Sequence, residues 1–152
     1  MRLEFHTDVA DTLGYSCRLL RKAYRRGLKV VVCGAPEQLS RLDTLLWTFE
    51  QLEFVPHARL RSGERPESTL AARTPIWLAD AGTAWPQADV VVNLGEQAVD
   101  EPARFERIVE IVGDDAGARQ TGRARWRHYT SLGLTPTHAN AATASEDGAA
   151  SS

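Results

Sequence analysis

In the first third of the chain, the spacing of apolar and polar positions changes from that of a strand to that of a helix, and then to that of a second strand. Residues 2–7 alternate in polarity and predict a short strand, whereas residues 9–26 carry apolar side chains at helical spacing. The β-branched run at 29–33 predicts a strand that is covered on both faces. Pro36 favours the start of a second helix, which the pattern extends to about Trp47.

The middle of the chain predicts three further extended segments. The segment 54–60 is followed by a polar stretch at 61–69, which contains Gly and Pro and predicts a surface loop. Two more strands are predicted at 75–79 and 89–94. Strands separated by helices, together with a buried β-branched run, indicate an open, mainly parallel α/β sheet of Rossmann-like type flanked by helices.

Two helices and a tail are predicted in the last third. Residues 102–112 are interpreted as an amphipathic helix, and a longer helix is predicted over 115–132, before Gly133. From position 135 onward, Ala, Thr, Ser and Gly dominate without periodicity. The sequence therefore predicts one domain over 1–134 and a disordered tail over 135–152. The residues expected to point inward from the first of these helices are Phe105, Ile108, Val109 and Val112.

Composition narrows the class of protein. The chain has 152 residues, 43% hydrophobic and 25% charged, with a formal net charge of −2, which argues against a surface that wraps nucleic acid. There is no apolar run of membrane-spanning length, and the two cysteines form no CxxC pair. These features favour a reduced, cytoplasmic protein. The four histidines lack metal-ligand spacing, so no metal is expected.

Motifs for catalysis and for nucleotide binding are missing. The turn at 33–37 has one glycine and no lysine, and neither GxGxxG nor GxxxxGK[ST] occurs, so no cofactor is expected. Cys17 and Cys33 fall in apolar patterns typical of inert, packed thiols. His57 is a conceivable base, but no motif places a nucleophile near it. The residues alone therefore offer only poor catalytic constellations, and a small hydrolase or nucleotide-dependent enzyme on the same sheet remains an alternative that the missing phosphate loop argues against.

An arginine-rich stretch in the last predicted helix is the strongest candidate for a binding site. Four of its residues fall at i, i+4, i+7 and i+8, which is one face of a helix. Guanidinium groups around an indole suit an anionic ligand that carries an aromatic or aliphatic group. Two alternatives remain open: a solvated face whose arginines pair with distant acids, and a site for single-stranded nucleic acid. The four residues are Arg119, Arg123, Trp126 and Arg127.

A second candidate surface surrounds the end of the second helix. Trp47, Phe49 and Phe54 crowd eight residues of chain. They are interpreted either as part of the core or, for at least Trp47 and Phe54, as an exposed apolar patch for a protein partner.

Several motifs resemble one family. Residues 42–47 (LDTLLW) and 54–57 (FVPH), with the strand at 89–94 and the segment 123–129 (RARWRHY), are similar to the chi subunit of bacterial DNA polymerase III. The resemblance covers about residues 2–135. It implies a non-enzymatic clamp-loader accessory subunit with a Rossmann-like sheet that does not bind nucleotides. Such a subunit bridges the psi subunit and the acidic C-terminal tail of single-stranded DNA-binding protein, and contacts DNA only indirectly.

The resemblance also implies roles for particular residues. Trp47 and Phe54, with Val55 beside them, match positions that contact psi, and a repair helicase is an alternative partner for that surface. Trp126 stands where the family pattern has tyrosine, and arginines replace lysines at two positions. The residues implied for the tail ligand are Arg123, Trp126 and Arg127, with Val112 and Arg119 as neighbours.

Overall fold

The computed structural model describes residues 1–48, 55–65, 73–80, 83 and 85–141. Two helices separate the first three strands of this part of the chain, a third helix separates the last two strands, and a short 3-10 turn at Pro102–Arg104 precedes the sixth strand. The elements are β1 (Arg2–Val9), α1 (Thr12–Arg25), β2 (Val30–Gly34), α2 (Pro36–Thr48), β3 (His57–Leu60), β4 (Ile76–Asp80), β5 (Val90–Asn93), β6 (Arg107–Gly113), α3 (Ala116–Ser131) and β7 (Thr137–Asn140).

The strands of the described part form one sheet in which every pair is parallel. Their order is β3-β4-β2-β5-β6-β1-β7. The central strands lie in register through Val31, Val91 and Ile108, whose side chains are fully buried. The open, parallel α/β sheet predicted from the sequence is confirmed.

Helices cover both faces of the sheet. The apolar faces of α1 and α2 pack together on one side, over a core that includes Leu20, Leu42 and Val92. On the other side, α3 packs on β6 and β1 around Phe5 and Tyr129. Both faces of the central strands are therefore buried, as expected for a parallel sheet. No helix within the described ranges is long and apolar enough to cross a membrane.

Residues 102–112 are not the amphipathic helix that the sequence predicted. The segment forms the 3-10 turn and then strand β6, which pairs with β5 on one side and β1 on the other. A strand buried on both faces is apolar almost throughout, so its residues also satisfy helical spacing by coincidence. Ile108 and Val112 face the α3 side, and Val109 faces the side of α1 and α2.

A strand lies beyond residue 134, inside the segment that the sequence predicted as a disordered tail. Thr137–Asn140 form β7, which pairs with β1 from Glu4 to Thr7. The Asn140 Nδ2 donates to an Asp8 carboxylate oxygen at 2.6 Å, which ties the end of β7 to the end of β1. An edge strand buries little side-chain surface and needs no hydrophobic pattern, so periodicity could not find it. Residues 142–152 of the predicted tail lie outside the described residues, as do Phe49 and Phe54.

Candidate functional site

A groove of about 530 Å³ runs between helix α3 and the β1–β7 edge of the sheet. Phe5 and Val112 form its apolar floor, and Asp8 and His138 stand on the strand side. The helix side is formed by the four residues that the sequence placed on one helical face: Arg119, Arg123, Trp126 and Arg127. The structure therefore brings these four together with Val112, the fifth residue of the predicted set.

The close approach of α3 to the sheet shapes the floor of the groove. Gly122 is buried, and a Cβ there would lie 3.1 Å from both Cγ atoms of Val112. A larger residue would push the helix outward, because that spacing is tighter than ordinary van der Waals contact. One turn later, the half-buried Trp126 ring packs on Phe5, with ring centroids 5.0 Å apart and planes at 56°. The indole thus forms an apolar wall that remains open to a ligand.

The groove carries an excess of positive charge. Arg119 is paired at 3.2 Å with Asp8, which is the only acid among the described residues that line the groove. Asp8 adopts a left-handed φ of 57°, a conformation that aspartate tolerates better than most side chains. Arg123 and Arg127 are exposed, and their guanidinium groups make no ion pair or hydrogen bond with any described residue. Two cations are therefore available beside the indole.

Arg125 points away from the groove, although it belongs to the same arginine-rich stretch. It is 4% exposed, and its Nε donates to the fully buried Glu110 at 2.7 Å. The Asn93 side chain donates to the same carboxylate at 3.0 Å, and the Tyr129 hydroxyl donates to it at 2.5 Å. Burial raises the pKa of Glu110, and the Arg125 charge and these hydrogen bonds oppose that shift. This buried cluster fixes the rotation of α3 about its axis.

Sequence reasoning missed the Glu110 cluster. The available signal was a single carboxylate within the otherwise β-branched and apolar run of β6. A buried charge requires a partner. The misassignment of β6 as a helix concealed that requirement. Within the arginine-rich stretch, Arg119 and Arg125 thus have acidic partners, as one of the alternatives held, whereas Arg123 and Arg127 have none among the described residues.

The second candidate surface lies on the opposite face of the sheet. Trp47, near the end of α2, is 64% exposed and meets the His57 ring edge-on at 5.4 Å between centroids. Val55 is only 4% exposed and packs in the core, so its side chain does not belong to this surface. Phe54 lies outside the described residues. Trp47 therefore lies on the surface, where a partner can reach it.

The cysteines are packed as the sequence predicted. Both are buried and free. Burial raises the pKa of Cys17 to about 11, and burial together with the Glu110 carboxylate raises the pKa of Cys33. Neither is a thiolate near neutral pH, which removes the chemistry of a nucleophile. Asp115 caps α3 by accepting from the Ala118 backbone N–H at 2.8 Å.

A family model described as DNA polymerase III chi subunit, HolC, matches residues 1–137. The chain belongs to this family. Family membership confirms the resemblance drawn from residues 42–47 and 54–57, and it assigns the chain to DNA replication.

Curated relatives agree with the family model. DNA polymerase III subunit chi of Pseudomonas aeruginosa is 29% identical over 137 residues, covering 87% of this chain and 91% of that protein. The subunit of Escherichia coli K12 is 28% identical over 125 residues, covering 78% of each chain. That of Haemophilus influenzae is 30% identical over 116 residues, covering 74% of this chain and 75% of the other.

The fold also occurs in an unrelated setting. The structure of the C-terminal domain of the DEAD-box protein Dbp5 superposes with a TM-score of 0.61 at 13% identity. The match covers 90% of this chain and 88% of that one. At this identity the likeness concerns the fold alone.

Proposed function

We propose that this chi-family chain is a non-catalytic bridge within the replication machinery. One end holds the acidic C-terminal tail of single-stranded DNA-binding protein, and the other holds the psi subunit of the clamp loader. Through these contacts it acts in the cytoplasm, at the replisome, and meets DNA only indirectly. The observation that carries the proposal is the groove in which the open face of Trp126 lies beside Arg123 and Arg127, which lack acidic partners among the described residues.

The chemistry of the groove matches a peptide end that is both acidic and hydrophobic. Carboxylates of the ligand would accept from Arg123 and Arg127, as charge-assisted hydrogen bonds of roughly 1.5–3 kcal/mol each. An aromatic side chain buried between Trp126 and the Phe5–Val112 floor adds roughly 1.5–3 kcal/mol. Ordering a flexible tail offsets part of that gain. A micromolar dissociation constant, which corresponds to a binding free energy of about −8 kcal/mol, is consistent with these contributions.

A bridge of this kind works through local concentration. A protein that coats single-stranded DNA presents many tails, so a weak contact to each still keeps the polymerase assembly near its template. Trp47 supplies the opposite attachment, because an exposed indole beside a helix end is a suitable anchor for an apolar partner surface. The same surface also suits a repair helicase in competition with psi.

Direct binding of single-stranded DNA through the groove is the second candidate, because arginine and stacking aromatics also serve nucleic acid. Two arginines and one indole form a small footprint for that task. The deciding experiment is a pair of titrations at matched salt. One uses a peptide of the C-terminal residues of the host's own single-stranded DNA-binding protein, and the other uses a bare oligonucleotide. Saturable micromolar binding of the peptide, without comparable binding of the oligonucleotide, supports the proposal. Tighter binding of the oligonucleotide than of the peptide rejects it.

A further inference from the structure

The exposed Trp47 indole rests on a side chain that is itself firmly held. Its ring meets that of His57 at 5.4 Å between centroids, with an interplanar angle of 63°. The His57 side chain is 1% exposed, whereas the indole is largely in solvent. Edge-to-face contacts of this type are attractive and directional. The orientation of the indole therefore depends on whether the imidazole beneath it is fixed.

His57 is fixed at both ring nitrogens. Nδ1 lies 2.6 Å from the carbonyl oxygen of Val55, and Nε2 lies 2.9 Å from a carboxylate oxygen of Asp43. The two contacts lie at the two nitrogens of the ring, so the ring cannot turn without losing both. The imidazole is therefore held in one orientation.

Asp43 is placed to act on Trp47 by helical geometry. The two residues are four apart on α2, so they lie on the same face of that helix, one turn from each other. The carboxylate reaches across to His57 at the start of β3, and the imidazole ring packs against the indole. These contacts link the end of α2 to β3 directly beneath the exposed ring.

We infer that Asp43 and His57 are positioning residues that hold the Trp47 indole in one orientation for an apolar side chain of the docking partner. The inference rests on the proposed function of the Trp47 surface. An anchor that is ordered before binding loses less side-chain entropy when the partner arrives. For one side chain this advantage corresponds to roughly two- to tenfold in affinity. Asp43 of the LDTLLW segment and His57 of the FVPH segment would thus contribute to docking by orienting Trp47, without touching the partner themselves.

The first test needs no partner. Nitrogen-15 relaxation of the Trp47 indole N–H is compared in the wild-type chain, in Asp43→Ala and in Asp43→Asn. We expect an order parameter of about 0.85 in the wild type and below about 0.6 in Asp43→Ala. Asp43→Asn keeps a hydrogen bond to His57 and should remain near the wild type. An indole as ordered in Asp43→Ala as in the wild type would overturn the inference.

The second test measures affinity for the purified psi subunit of the same organism by calorimetry. Asp43→Ala should weaken binding two- to tenfold, and Asp43→Asn should recover most of the loss. Thr44→Ala is the matched control, because Thr44 is an exposed neighbour on the same helix. Affinity lost equally in the Asn and Ala variants would contradict a positioning role.

The two tests separate the inference from the proposed function. If Trp47→Ala leaves psi affinity unchanged, the proposed docking surface is wrong, while the relaxation experiment still decides whether Asp43 orders the indole. Circular dichroism checks that each variant is folded. If Asp43→Ala does not fold, Asp43→Ser makes the same test, because its hydroxyl is too short to reach His57.

Discussion

Arg125 donates to the Glu110 carboxylate at 2.7 Å inside the protein, although its neighbours in the chain line an open groove. One arginine of the stretch thus anchors α3, and others are presented to solvent. The arrangement separates residues that stabilise the fold from residues available for binding. Variants of the two kinds should therefore behave differently.

Loss of Arg125 should destabilise the protein severely. Arg125→Met leaves the Glu110 carboxylate buried without its cation, and breaking a buried pair in this way costs about 3–5 kcal/mol. Urea unfolding measures the difference in the free energy of unfolding. Arg123→Ala is the control and should stay within about 0.5 kcal/mol of the wild type, because Arg123 is exposed. Similar losses in both variants would contradict the division of roles.

Trp126→Ala should weaken binding of the acidic tail peptide by roughly 10- to 100-fold, because it removes the apolar wall of the groove. Trp126→Tyr retains an aromatic ring and should lose much less. Arg123→Ala should also weaken binding while leaving the fold intact. Titration calorimetry gives all three affinities. An unchanged affinity in both Ala variants would mean that the peptide binds elsewhere.

Salt should weaken the same contact. Arg123 and Arg127 are exposed, so a carboxylate that pairs with them is screened over about 8–10 Å at physiological ionic strength. We expect affinity for the peptide to fall several-fold between about 50 and 200 mM salt. The dependence should be shallower in Arg127→Ala. Binding that is insensitive to salt would indicate that the indole alone holds the peptide.

Trp47→Ala should abolish or strongly reduce association with psi and leave the affinity for the tail peptide unchanged. Trp47 packs against His57 at the start of β3, on the opposite face of the sheet from α3. The two surfaces share no residue, so their variants should act independently. Pull-downs with psi and a parallel peptide titration provide the two measurements. Retention of psi by the variant would count against this surface.

Stability should fall in acid partly because of Glu4. Burial alone would raise the pKa of Glu4, but hydrogen bonds from His6 and Arg107 and the charges of Arg107 and Arg2 lower it to about 2. Because this value lies below the ordinary 4.5, the stabilisation is fully present above pH 4.5 and disappears as pH falls through 2.

The loss amounts to at most about 3 kcal/mol. Urea unfolding at pH 7 and pH 3 should show a larger decrease for the wild type than for Glu4→Gln. Equal decreases in the two proteins would show that Glu4 does not contribute in this way.

The sequence predicted correctly those elements whose apolar positions fit either a strand or a helix, but not both. The strands at the positions of β1 to β5 follow from alternation or from short apolar and β-branched runs, and the helices at α1, α2 and α3 follow from helical spacing and their end signals. β6 was missed because burial on both faces removes the alternation that distinguishes a strand from a helix. β7 was missed because a polar edge strand has no such pattern.

The composition of the groove was only partly accessible from sequence. Helical spacing alone groups Arg119, Arg123, Trp126 and Arg127, and the structure places them along one groove. The contributions of Phe5, Asp8 and His138 depend on the pairing of β1 with distant strands, which no local pattern encodes. Membership of a motif also does not show that a residue is exposed. Val55 belongs to the FVPH motif, yet its side chain is buried in the core.

The strand order has a mechanical consequence. Trp47 lies beside β3 and the groove lies over β1, five strand spacings away, or roughly 24 Å. A pull applied between the two surfaces would act across the strands, along the hydrogen bonds that join them. Those bonds would then open one after another, like a zipper, instead of resisting together in shear. We therefore expect the sheet to yield at low force when it is pulled between these two surfaces.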